Sequence, residues 1–181
     1  MQNSTSLVTT PSIKRRLICL IYDAFLVLAV TALAVLVFRM AVQNYTGPFV
    51  EHGSKFVVFL TAGAYFVHSW MGSGFTLAMK TWRIKVVHLG TAQVPFRNAV
   101  VRYVFSWGWI LTGGVIYQVQ GHHDHAWAAM SLSLLAGIAL WATTAFLDKD
   151  RQFLHDKLAG TRLIALPKPV KADKAEKPAA S

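Results

Sequence analysis

Four apolar runs, at residues 17–38, 56–71, 99–117 and 126–147, constrain this chain more than any other feature. A helix needs about 20 mainly apolar residues to cross a hydrocarbon core about 30 Å thick. The first and last runs have that length. The second is short unless it continues through Gly72 and Gly74, and the third carries Arg102 near its start. Composition agrees, with 54% hydrophobic and 14% charged residues, against roughly 25% charged in a soluble domain. The expected fold is an all-α membrane protein, a bundle of about four transmembrane helices.

The formal net charge of +10 would on its own suit a nucleic-acid partner. Its distribution assigns it differently. All 18 Lys and Arg residues except Arg39 and Lys55 fall in the N-terminal flank, in the connection from Lys80 to Arg102, or after residue 148. With four crossings these three segments share one side, which the positive-inside rule makes cytoplasmic, together with both termini. The lipid bilayer is the expected partner, and nucleic acid is not. A cleaved signal peptide is not expected either. Run 17–38 exceeds the usual h-region of roughly 7–15 residues, and Asp23 interrupts it. Cys19 is the single cysteine, so no internal disulfide forms.

Residues 1–12 are polar and expected to be mobile, residues 13–166 form the transmembrane domain, and residues 167–181 are a Lys/Ala/Pro tail expected to be disordered. Trp82, Ile84 and Val86 alternate with Arg83 and Lys85, a strand period. Gly90 permits a turn after them, and residues 161–166 are also strand-like. A small β-like connection pairing these two regions is therefore expected on the cytoplasmic side. Residues 151–158 read either as a short interfacial helix with Phe153, Leu154 and Leu158 on one face, or as a polar loop.

Asp23 is the costly residue. It lies seven residues beyond Arg16, roughly 10 Å deeper along a helix, and an ionised Asp at a helix centre costs about 2.5–3.5 kcal/mol. It is therefore expected to face other helices, with a partner or with a proton, and Arg102 and His68 are candidate partners. Such a carboxylate can exchange a proton or small cation, or it can anchor helix packing. His68 itself reads as a packed, hydrogen-bonded histidine. His122, His123, Asp124 and His125 offer imidazole and carboxylate ligands to a transition metal, yet adjacent ligands rarely converge on one centre. A solvated loop is the default there, and no metal or other cofactor is expected. The chain has no nucleophile–base pair at a recognisable spacing and no phosphate-cradling loop, so it is not expected to be an enzyme.

Three passages resemble the RDD family of bacterial membrane proteins, named for one arginine and two aspartates. Arg16-Leu17 followed by Asp23 is similar to the family's R-L-x-A-x-x-I-D opening, with Cys19 at the Ala position. Gly74-Phe75-Thr76-Leu77-Ala78-Met79-Lys80 is similar to G-x-T-L-G-M-K, with Ala78 at the second Gly. Leu154-His155-Asp156-Lys157-Leu158-Ala159-Gly160-Thr161 is similar to L-H-D-x-x-x-G-T. The resemblance implies that Arg16, Asp23 and Asp156 are the named positions, with His155 and Arg102 as further candidates beside them. In the expected topology Arg16 and Asp156 both lie at the cytoplasmic interface, where they are expected to pair, and Asp23 sits just inward.

The resemblance further implies a multi-pass protein of the bacterial inner membrane, with transport of ions or small solutes suggested for the family. The leading expectation is transport-related activity using Asp23. A homo-oligomer is expected, because four helices make a small bundle. The alternative is an assembly or adaptor protein whose Arg and Asp residues are structural and which binds a cytoplasmic protein partner. A third option is a membrane enzyme or metal-handling protein using His122, His123 and His125.

Overall fold

A computed structural model of the chain describes residues 9–121 and 126–167. In chain order the elements are α1 (Ile13–Ala41), α2 (Pro48–Gly72), α3 (Leu77–Thr81), β1 (Ile84–His88), α4 (Phe96–Ser106), α5 (Gly108–Gln120), α6 (Ala126–Thr143), α7 (Leu154–Leu158) and β2 (Thr161–Ala165). One 3-10 turn, Thr144–Phe146, extends α6.

Local chemistry sets most boundaries. The Ser12 hydroxyl accepts the Arg15 N–H and opens α1. Pro48 occupies the first turn of α2, where its missing N–H costs nothing, and Glu51 complements the positive end of that helix. Gly74, at φ 76°, makes the turn from α2 towards α3. A Cβ there would lie 2.7 Å from the Val86 carbonyl oxygen. Thr76 then caps α3 by accepting the Met79 N–H at 3.1 Å.

Among the described residues, three helical stretches are long and apolar enough to cross a membrane: Ile13–Ala41, Phe96–Gln120 and Ala126–Phe146. Their large exposed side chains, among them Phe25, Leu28, Leu33, Leu111, Leu132 and Leu135, suit lipid surroundings. Helix α2 has 25 residues, long enough at about 1.5 Å per residue. Glu51, His52, Lys55 and His68 make it more polar than those three. It gains its length by beginning well before its apolar run, and it ends at Gly72 rather than continuing through Gly74.

The expected single helix at 99–117 is instead two, α4 and α5, meeting at Trp107. Gly108 follows, and the Trp141 indole packs where its side chain would stand. α5 and α6 then pack side by side. Gly113 and Gly137 bring their backbones together: a Cβ on Gly137 would lie 2.5 Å from the Trp109 carbonyl oxygen and 2.7 Å from the Gly113 nitrogen.

The expected β-pairing forms. β1 and β2 are antiparallel, with Val86 opposite Leu163 and Ile84 opposite Ala165. Ile84, Val86, Thr161 and Leu163 are all buried on one face. That face closes a core with Cys19, Ala62, Trp70, Met79, Ala99 and Tyr103, so the two-stranded sheet is stabilised by the helices it covers rather than by itself. The interfacial helix expected at 151–158 is shorter, only α7. Its apolar face is also different, because Phe153 is buried ahead of the helix while Leu154 and Leu158 are exposed. The buried side of α7 is Asp156. Residues 1–8, the His122–His125 loop and the tail from residue 168 lie outside the described residues.

Candidate functional site

The first half of α1, the last turns of α4, the second half of α2, Trp109 of α5, Trp141 of α6 and the segment around α7 surround a cavity of about 300 Å³. Arg16, Asp23, Arg102 and His155 line it, against walls that include Phe66, Trp70, Met79 and Leu163.

Asp23 is buried on the inward face of α1. The Thr76 hydroxyl donates to its Oδ2 at 2.6 Å, and the Tyr65 hydroxyl donates to its Oδ1 at 3.1 Å. The Cys19 thiol approaches Oδ2 at 4.0 Å. The expected partners are absent: Arg102 binds another carboxylate, and His68 points outward, exposed rather than packed. Thr76 and Tyr65 went unmarked in the sequence reading. Thr76 lies inside the G-x-T-L passage, so a signal for it existed. Tyr65, in the middle of α2, carried none.

Arg16 is buried a little under two turns before Asp23. Its Nε donates to the Pro11 carbonyl at 2.9 Å and its Nη1 to the Arg151 carbonyl at 2.7 Å. The guanidinium lies 5.2 Å above the Phe153 ring, and Nη2 has no hydrogen bond. Arg151 has φ 52°, uncommon for a residue with a side chain. The neighbouring Arg15 shows the same pattern, its Nη2 donating at 3.1 Å to the carbonyl of Arg83, which has φ 51°. Two consecutive arginines thus hold two left-handed backbone positions.

The expected Arg16–Asp156 pair does not form. Asp156, fully buried on α7, instead meets Arg102, with Nη1 2.9 Å from Oδ1. α4 packs against both α2 and α7, and this carries Arg102 to the carboxylate first. The Arg102 guanidinium also lies 4.4 Å above the Trp70 ring, and its buried Nε has no hydrogen bond.

His155 completes the group. Its Nδ1 accepts the Trp141 indole N–H at 3.1 Å. In a neutral imidazole the proton then sits on Nε2, which faces Asp156 Oδ2 at 3.7 Å. Burial pushes the His155 pKa down to about 4, helped by the charges of Arg102 and Arg16 and opposed by Asp156. His155 is therefore neutral at pH 7, with its tautomer set by Trp141.

The arrangement separates two kinds of chemistry. At one place a lone carboxylate sits among hydroxyls. At the other, two buried guanidinium groups line the cavity, and of these Arg102 alone is ion-paired, with Asp156.

The model of the RDD family matches residues 10–160. This chain belongs to the RDD family. The match spans the first two passages that carry the resemblance and all but Thr161 of the third, and with the three apolar helices it makes this RDD chain a multi-pass membrane protein. No curated protein and no solved structure matches it. Of the three positions to which the resemblance points, Arg16 and Asp23 line the cavity directly, and Asp156 reaches it through Arg102 and His155.

Proposed function

We propose that this RDD protein has transport-related activity for ions or small solutes, with Asp23 carrying the exchangeable proton or cation. One observation carries the reading: among the described residues Asp23 makes no ion pair, and its two closest side-chain donors are hydroxyls. A hydroxyl can donate to the carboxylate or turn and accept from the carboxylic acid, so both protonation states find partners. Structural carboxylates at such depth are usually paired with a cation.

In this reading the chain crosses the bacterial inner membrane four times, through α1, α2, the bent α4–α5 unit and α6. Both termini, the sheet and α7 then lie on the cytoplasmic side, in line with the distribution of Lys and Arg. The Arg102–Asp156 pair braces that end, and copies of the chain assemble to complete a path. Reconstitution in vesicles tests the role. Asp23→Asn is expected to abolish cation-dependent or proton-dependent flux while insertion and folding persist; undiminished flux would remove Asp23 from the mechanism.

The full burial of Arg102 and Asp156 favours a second reading, an assembly or adaptor protein with a cytoplasmic partner. There Asp23→Asn lowers abundance, and the wild type moves no solute.

A further inference from the structure

Charge around the cavity is unevenly matched. Arg16 and Arg102 are both about 5% exposed or less, and both line the cavity. Asp156 is the one carboxylate on a guanidinium there, and His155 is neutral. Asp23 stands roughly 10 Å further along α1 from Arg16 and is taken up by hydroxyls. Nη2 of Arg16 and both Nε and Nη1 of Arg102 are buried without a hydrogen bond, and so are the two oxygens of Asp156, which meets Arg102 as an ion pair only. Desolvated cations with unfilled donors are costly unless an anion completes them.

The rest of the lining says what kind of anion. Most of it is apolar, and Leu20 and Ala24 carry it out to the exposed face of α1. A ligand entering there meets hydrocarbon before it meets the guanidinium groups. Basic pockets between transmembrane helices hold lipid phosphates in this way, because guanidinium groups match phosphate oxygens in geometry and charge.

We propose that the Arg16–Arg102 end of this cavity binds the phosphate of an anionic lipid, whose chain lies along Leu20, Ala24 and Phe66. The site is separate from exchange at Asp23: a failure here leaves the flux result for Asp23→Asn untouched, and the reverse also holds.

The experiment uses the full chain, purified from vesicles containing equal amounts of phosphatidylglycerol and phosphatidylcholine, with retained lipid read by native mass spectrometry. The wild type is expected to retain phosphatidylglycerol about tenfold over phosphatidylcholine: both lipids carry the phosphate, but the trimethylammonium of phosphatidylcholine brings a second positive charge towards two buried guanidinium groups, and like charges repel. Arg16→Gln, which keeps an amide donor for the Pro11 or Arg151 carbonyl, is expected to erase the preference. Ala24→Trp, at the exposed mouth and far less able to disturb folding, is expected to do the same. Arg39→Gln, exposed at the opposite end of α1, should retain it. Equal retention of the two lipids by the wild type overturns the proposal, as does a preference that survives both Arg16→Gln and Ala24→Trp. Thermal stabilisation by inorganic phosphate equal to that by phosphatidylglycerol would assign the site to a free oxyanion and overturn the lipid.

Discussion

Arg102 and Asp156 meet at 2.9 Å, one on α4 and one on α7, with 4% and 0% of their side chains exposed. Sequence separates them by more than fifty positions, yet each is the other's main compensation for leaving water. Such pairs contribute little net stability when intact and cost a great deal when halved. Asp156→Ala is therefore expected to destabilise the fold by about 3–5 kcal/mol. The double replacement Arg102→Met with Asp156→Leu should recover most of that loss. Chemical denaturation in detergent, run as a double-mutant cycle, measures both.

Thr76 joins α3 to α1 through a single oxygen, which accepts the Met79 N–H and donates to Asp23. Thr76→Val keeps the shape and loses both bonds, at a cost of about 1–3 kcal/mol. Thr76→Ser keeps both and should stay close to wild type. Thermal unfolding of the two variants side by side decides it.

His155 makes stability depend on pH. Its pKa falls from an ordinary 6.5 to about 4 on folding, so between those values the unfolded chain holds more protons than the folded one. Stability then rises with pH through that window and is lost on acidification, by about 3 kcal/mol in all. His155→Gln should flatten the profile between pH 4 and 6.5 while leaving its shape above pH 7 unchanged. Melting temperature against pH is the measurement.

Two glycines near the α5–α6 contact should respond in opposite ways. A methyl on Gly137 would meet backbone atoms at 2.5 and 2.7 Å, so Gly137→Ala forces the helices apart and should cost about 1–3 kcal/mol. Gly114 has nothing within 4 Å of the same position, and Gly114→Ala should be neutral or stabilising by up to about 1 kcal/mol. Comparing melting temperatures of the two variants tests the close crossing.

What could be read from the chain in advance follows local periodicity. Apolar runs announced the long helices, and the alternation of Ile84 and Val86 with charged neighbours announced β1, because both are patterns within a few residues. The partner of Asp156 was hidden for the opposite reason. Arg16 and Arg102 were each placed near the same end of the helices, and only the packing of α4 against α7 decides which guanidinium arrives. Tyr65 was hidden in the same way: a tyrosine within an apolar helix gives no sign of which neighbour its hydroxyl meets. The break at Trp107 is followed by Gly108, whose missing side chain leaves room for the Trp141 indole, a contact made from another helix.

The sheet has a consequence for biosynthesis. β1 and β2 are separated in the chain by three helices and α7, and α7 and β2 supply His155, Asp156 and Leu163. A ribosome delivers these last. Arg102 is therefore made before its counter-ion exists, and the pocket stays unroofed until translation has passed residue 165. A nascent chain stalled before that point carries Arg102 without the carboxylate that offsets its burial, a costly state.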